Sequence, residues 1–146
     1  MSTGLETDDV IEPWLYGQLT GDAELIRLTG GWVINTATDE DAPPDVDLYC
    51  VFSFVSARDI ATVGGGRAQV DCLYQVKGVA RGSDWDPAAQ VLRRVCAVLE
   101  VAGTVSTPAG DVTCQRRSLI KYAEREAGAQ YRHVGAQFHI RSNSST

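Results

Sequence analysis

The chain has 146 residues, 44% hydrophobic and 22% charged, with a formal net charge of −6. That length suits one domain able to bury about two-thirds of its unfolded surface. The composition is that of a globular protein, and no apolar run approaches the roughly 18 residues of a membrane span. The acidic balance argues against strong, non-specific binding to nucleic-acid phosphates.

The charge is unevenly placed. Residues 1–66 hold 2 Lys/Arg and 12 Asp/Glu, net −10, and residues 67–146 hold 11 and 7, net +4. Such a split favours a head-to-tail contact between copies, acidic half against basic half. Cys50, Cys72, Cys96 and Cys114 are far apart with no Cys-x-x-Cys pair, so they read as small buried hydrophobes rather than zinc or redox groups. The N-terminal residues, with Glu6, Asp8, Asp9 and Glu12, do not read as a signal peptide, and folding in a cytosol is expected.

In chain order, residues 1–8 are expected to be disordered. Val10, Ile11, Trp14, Leu15 and Leu19 predict a short helix over Asp8–Leu19 with Pro13 in its first turn. Asp22 caps a second turn over Ala23–Leu28, which Gly30-Gly31 stops. A strand over Trp32–Asn35 and a polar loop over Thr36–Asp45 follow. From Val46 to Val55 the chain alternates, with Val46, Leu48, Cys50, Phe52 and Phe54 on one face. Residues 56–66, ending in three glycines, read as a mobile loop, and they carry neither phosphate-binding glycine motif.

Arg67–Arg81 reads as a long strand with Ala68, Val70, Cys72, Tyr74 and Val76 facing in. The clearest helix lies between Ser83 and Gly103: Asp86 as N-cap, Pro87 at the first helical position, and a stripe of Val91, Leu92, Val95, Val98, Leu99 and Ala102. Gly103 suits a left-handed C-terminal position. Val112–Lys121 alternates less cleanly, because Arg116 and Ser118 interrupt the row Val112, Cys114, Ile120. Tyr122–Ala129 reads as a turn, Gln130–Arg141 as the last strand, and residues 142–146 as a disordered tail. The fold class is therefore α+β: a mainly antiparallel sheet of about five strands with helices packed on one face, in a single domain over 1–146.

No catalytic constellation emerges. His133 and His139 share one strand face but are too far apart to bind a metal without a third ligand, and they read as surface or interface histidines. No serine lies in a Gly-x-Ser-x-Gly turn. The basic set Arg116, Arg117, Lys121, Arg125, Arg132 and Arg141 fits an interface with the acidic half better than nucleic acid.

Several stretches together resemble a known family. They are Leu19-Thr20-Gly21-Asp22-Ala23-Glu24-Leu25, Tyr49-Cys50-Val51-Phe52, the helix opening at Asp86-Pro87-Ala88-Ala89, and the close Tyr131-Arg132-His133-Val134-Gly135-Ala136-Gln137-Phe138-His139-Ile140. In this order, from about Asp9 to Arg141, they resemble the tail terminator (tail completion) proteins of long-tailed bacteriophages and related prophages. The resemblance implies a non-enzymatic virion protein without cofactors. It implies a hexameric ring that caps the tail tube and docks to the head connector or stopper, with DNA passing through the bore without sequence recognition. The family has no catalytic residues to transfer. From the charge split, Arg116, Arg117 and Lys121 are the expected donors between subunits, and Asp22, Glu24 and Asp59 the acceptors. Two alternatives stand beside this reading. One is another neck or minor tail component of the head-completion or stopper type. The other is a small-ligand-binding or enzymatic α+β domain with a pocket between helix and sheet, which a dry, filled interface would rule out.

Overall fold

The computed structural model describes residues 4–35, 46–61, 67–100, 105–107, 110–126 and 128–145. Its elements are α1 (Gly4–Thr20), α2 (Ala23–Thr29), β1 (Val33–Asn35), β2 (Leu48–Ala61), β3 (Arg67–Arg81), α3 (Asp86–Leu99), β4 (Val105–Thr107), β5 (Gly110–Glu126) and β6 (Ala129–Ser145). The fold is α+β. Six strands form one sheet in the order β1-β2-β3-β6-β5-β4, and every pairing is antiparallel except β1 with β2. Consecutive strands β2 and β3, and β5 and β6, pair antiparallel.

One face of the sheet carries all three helices. Cys50, Phe52, Cys72, Tyr74, Val76, Ala136, Phe138 and Ile140 present their side chains to Ile11, Leu15, Leu19, Leu25, Val91, Val95 and Leu99. The helix α3 approaches the sheet closely at Gly78 on β3, which has no side chain. A Cβ there would lie 2.7 Å from the Ala88 carbonyl oxygen and 2.7 Å from Val91 Cβ. All four cysteines are free and buried. Burial pushes the Cys50 and Cys114 thiols up to about 12, so the reactive thiolate is scarce.

Local signals explain the short helix well. Asp22 caps α2 by accepting from the Leu25 N–H at 2.9 Å, and Gly30 closes it at φ 64°. The long helix starts one residue earlier than expected: Asp86 is its first residue, and its N–H donates to Asp84 Oδ1 at 3.0 Å. It ends at Leu99, and Ala102 and Gly103 lie outside the described residues.

Other boundaries differ from expectation, and packing or pairing explains most of them. The helix α1 begins at Gly4, which makes residues 4–8 helical and puts Pro13 in the interior, where it cannot donate to the carbonyl of residue 9. Of the expected loop over 56–66, residues 56–61 are strand paired with β3, and residues 62–66 lie outside the described residues. Tyr122–Glu126 is strand rather than turn, and strand continues through residues 142–145, since the central strand β3 offers partners as far as Arg67.

The uneven alternation of β5 has a specific cause. Arg116 pairs with Phe138 but Leu119 pairs with Ala136, so three steps on β5 oppose two on β6. This bulge inserts one residue and exchanges the faces. Before it, Cys114 and Arg116 look toward the helices; after it, Leu119 and Lys121 do. Ile120 consequently sits opposite Gly135 on the other face, not in the inward row expected for it. A second bulge separates Phe54, opposite Tyr74, from Ser56, opposite Leu73.

Candidate functional site: the open face of the sheet

The face away from the helices carries three consecutive groups of side chains. Near the chain turn that follows β3, Ile34, Val51 and Val79 form a small buried cluster with Trp32, Tyr49 and Tyr131 against it. Burial pushes the Tyr49 phenol up to about 12. Arg81 stands 5.9 Å from the Tyr131 ring centre.

The middle group is built on His133. Its ring stacks on Tyr122 with centres 4.3 Å apart and planes 8° apart, and Nε2 lies 3.3 Å from Glu124 Oε1. Lys77 Nζ donates to the Tyr122 hydroxyl at 2.6 Å. It reaches across Gly135, where a Cβ would lie 2.4 Å from Lys77 Cβ. Desolvation, then repulsion by Lys77, lowers the His133 pKa and favours the neutral ring. Far from being a surface histidine, His133 is buried.

The third group surrounds Asp71, whose side chain is only 2% exposed. Arg58 Nη2 lies 3.5 Å and Arg141 Nε 3.6 Å from its Oδ2, and His139 Nε2 rests against Oδ1. The carboxylate partner that the sequence did not offer His139 comes from β3 through the register Asp71↔Arg141 and Leu73↔His139. A groove of about 400 Å³ opens above this cluster, lined also by Ser56, Leu73, Arg117, Ser118 and Gln137. Ser118 Oγ donates to Gln137 Oε1 at 3.3 Å, and among the described residues no serine or cysteine hydrogen-bonds to His139. Among the described residues no group of three or more His, Cys, Asp or Glu side chains is placed to hold a metal.

The expected interface residues do not converge. Asp22 accepts from Arg94 Nε at 2.7 Å and Nη2 at 2.6 Å while capping α2, and this pairing with Arg94 holds its carboxyl below the usual range. Glu24 pairs with Arg27 on the same helix turn. Arg116 faces the helices, with Nε 2.9 Å from Glu100 Oε1 and Nη1 3.7 Å from Cys96 Sγ. Lys121 and Arg132 both stand over the Trp85 ring, at 4.6 and 5.1 Å. Arg117 alone of the three donors turns to the open face. Asp59 is described for its backbone only, opposite Val70. Sequence reasoning passed over Arg58, Asp71 and His139 as a group. An aspartate in the outward row of a long strand was the available signal, and its meaning depended on the neighbouring register.

Among the described residues, apolar side chains fill the space between helices and sheet. Val91, Val95, Leu99, Phe52, Cys72, Val76 and Phe138 fill it, all but one fully buried and Phe52 at 1% exposure. Among the described residues no helix is long and apolar enough to cross a membrane.

No protein-family model matches the chain, and no curated protein does. Solved structures share its fold. A chain from the virion of a native gene transfer agent (GTA) particle superposes with a TM-score of 0.65 at 21% identity, covering 98% of this chain and 100% of that one. Another solved chain superposes with a TM-score of 0.60 at 17% identity, covering 91% of this chain and 94% of its own length. At these identities the likeness is one of fold.

Proposed function

We propose that this chain is a structural virion protein that acts by assembly, a ring-forming terminator that caps a phage-type tail tube and joins it to the head connector. The observation that carries the reading is the end-to-end fold correspondence with a chain of a gene transfer agent virion. The local sequence matches to tail terminators point the same way. Among the described residues the helix–sheet interface is filled by buried apolar side chains, where a binding enzyme of this architecture would need a ligand chamber.

Surface character supports assembly as well. Phe54, Val55 and Leu119 are 43%, 44% and 68% exposed, on long strands that outreach the helical layer. A stable ring contact needs such apolar area, because exposed ion pairs contribute only about 0–1 kcal/mol each. Within this reading the ring is hexameric, its subunits meet head to tail, and DNA passes through the bore without being read. Asp22, Glu24 and Arg116 already have partners inside the chain, so Arg117 is the donor best placed to reach another subunit.

The test is to mix the purified protein with tail tubes that lack a terminator and to image the tube ends. Rings of several copies at one end are expected. Attachment to head connectors without tubes would favour the stopper or head-completion role instead. Failure to bind either would overturn the assembly reading.

A further inference from the structure

The groove over Asp71 holds more positive charge than its own carboxylate neutralises. Arg58 and Arg117 line it and Arg141 reaches Asp71 from beside it, so three arginines stand against one aspartate, a surplus of two. A carboxylate as buried as Asp71 is tolerated because cations surround it. The contacts at 3.5 and 3.6 Å engage one edge of Arg58 and one nitrogen of Arg141, whose side chains remain 72% and 49% exposed. A guanidinium carries five N–H donors, so most of theirs stay available to an incoming anion. Arg117 makes no ion pair among the described residues, and it lines the groove beside the β5 bulge. Asp71 thus anchors Arg58 and Arg141 from below, and Arg117 lines the groove together with Arg58, an arrangement suited to planar, bidentate carboxylate binding.

We propose that this groove is a docking site for a carboxylate-rich segment of a second copy of the chain; the proposal rests on the assembly reading and names one of its contacts. The chain supplies its own complement. Asp39, Glu40, Asp41, Asp45 and Asp47 fall within nine residues that contain no Lys or Arg. A nucleic-acid backbone fits less well, because it needs cations repeated along its path and the chain as a whole carries −6.

A fluorescent peptide of residues 36–47 is the probe, titrated into the full chain and read by anisotropy. Saturable binding that weakens with added salt is expected. Arg117→Glu should weaken it about tenfold or more with the circular dichroism spectrum unchanged, and a peptide with lysine at 39–41 should prefer that variant over the parent. Arg58→Gln, which inserts no negative charge beside Asp71, provides an independent second variant and should also weaken binding. Equal binding by parent and both variants would overturn the proposal, as would displacement of the peptide by a DNA oligonucleotide that binds more tightly at the same arginines. The terminator reading is tested apart from it. Unchanged tube capping and self-association by Arg117→Glu would remove the docking site and leave that reading standing. Peptide binding by a parent protein that never caps a tube would do the reverse.

Discussion

The two faces of one sheet behave as different materials. On the covered face, side chains from α1, α2, α3 and five strands form one apolar cluster, most of it at zero exposure. The open face, built from the same strands, carries an aspartate, two histidines, arginines and a lysine, most of them tied to a particular neighbour. Length contributes to the difference. A strand of 15–17 residues spans about 50–55 Å, and the 14-residue α3 about 21 Å, so helices can cover only part of one face. What the helices leave uncovered is available for contacts between molecules. The covered face should therefore govern stability and the open face should govern association.

The largest effect should follow from opening a hole in the covered face. Leu99→Ala removes a fully buried side chain from under the end of α3 and should cost about 2–5 kcal/mol in urea unfolding. A loss below about 0.5 kcal/mol would mean that the helix is not seated as described. Crowding the same interface comes next. Gly78→Ala pushes a methyl group to within 2.7 Å of the α3 backbone, and the helix must move away, at about 1–3 kcal/mol.

A smaller effect is expected at the rim of the covered face. Asp22→Ala deletes the cap of α2 and frees Arg94, for about 0.5–2 kcal/mol. Asp22→Asn, which can still cap, should recover part of that loss. If tube capping fails in Asp22→Asn while stability holds, the carboxylate serves another subunit as well as Arg94.

The smallest stability effect belongs to the open face, through His133. Its folded-state pKa lies below the ordinary 6.5 because burial and Lys77 disfavour the charged ring. As pH falls, the unfolded chain therefore takes up the proton first. Stability should begin to drop near about pH 6.5 and continue dropping until the folded-state value is passed. Comparing unfolding midpoints at about pH 7.5 and about pH 5.5 should show this slope, and His133→Gln should flatten it. An unchanged slope would assign the pH response to other groups.

Much of this molecule was legible as local pattern. Period-two rows identified the strands, Asp22 and Gly30 bracketed α2, and the stripe of Val91, Val95 and Leu99 marked the helix that covers the sheet. These features are decided within a few residues, by side-chain spacing and backbone preference, so one sequence is enough to find them. Element ends were less legible. Residues 56–61, 122–126 and 142–145 are strand because a neighbouring strand is present to pair with them, and no local signal carries that information.

The open-face site depended on two further things that sequence spacing does not encode. A single inserted residue between Arg116 and Leu119 reverses the faces of β5, sending Lys121 to the Trp85 ring and Tyr122 to His133. The register between β3 and β6 then sets Asp71 opposite Arg141 and beside His139, residues about seventy positions apart. Because side chains alternate with a period of two, a slip of one residue in either strand would have put these groups on opposite faces. The sequence by itself determined that the chain folds as helices on a sheet with opposed charges in its two halves. Only the tertiary structure decided which charges meet, since bulges and register are settled by long-range pairing and packing.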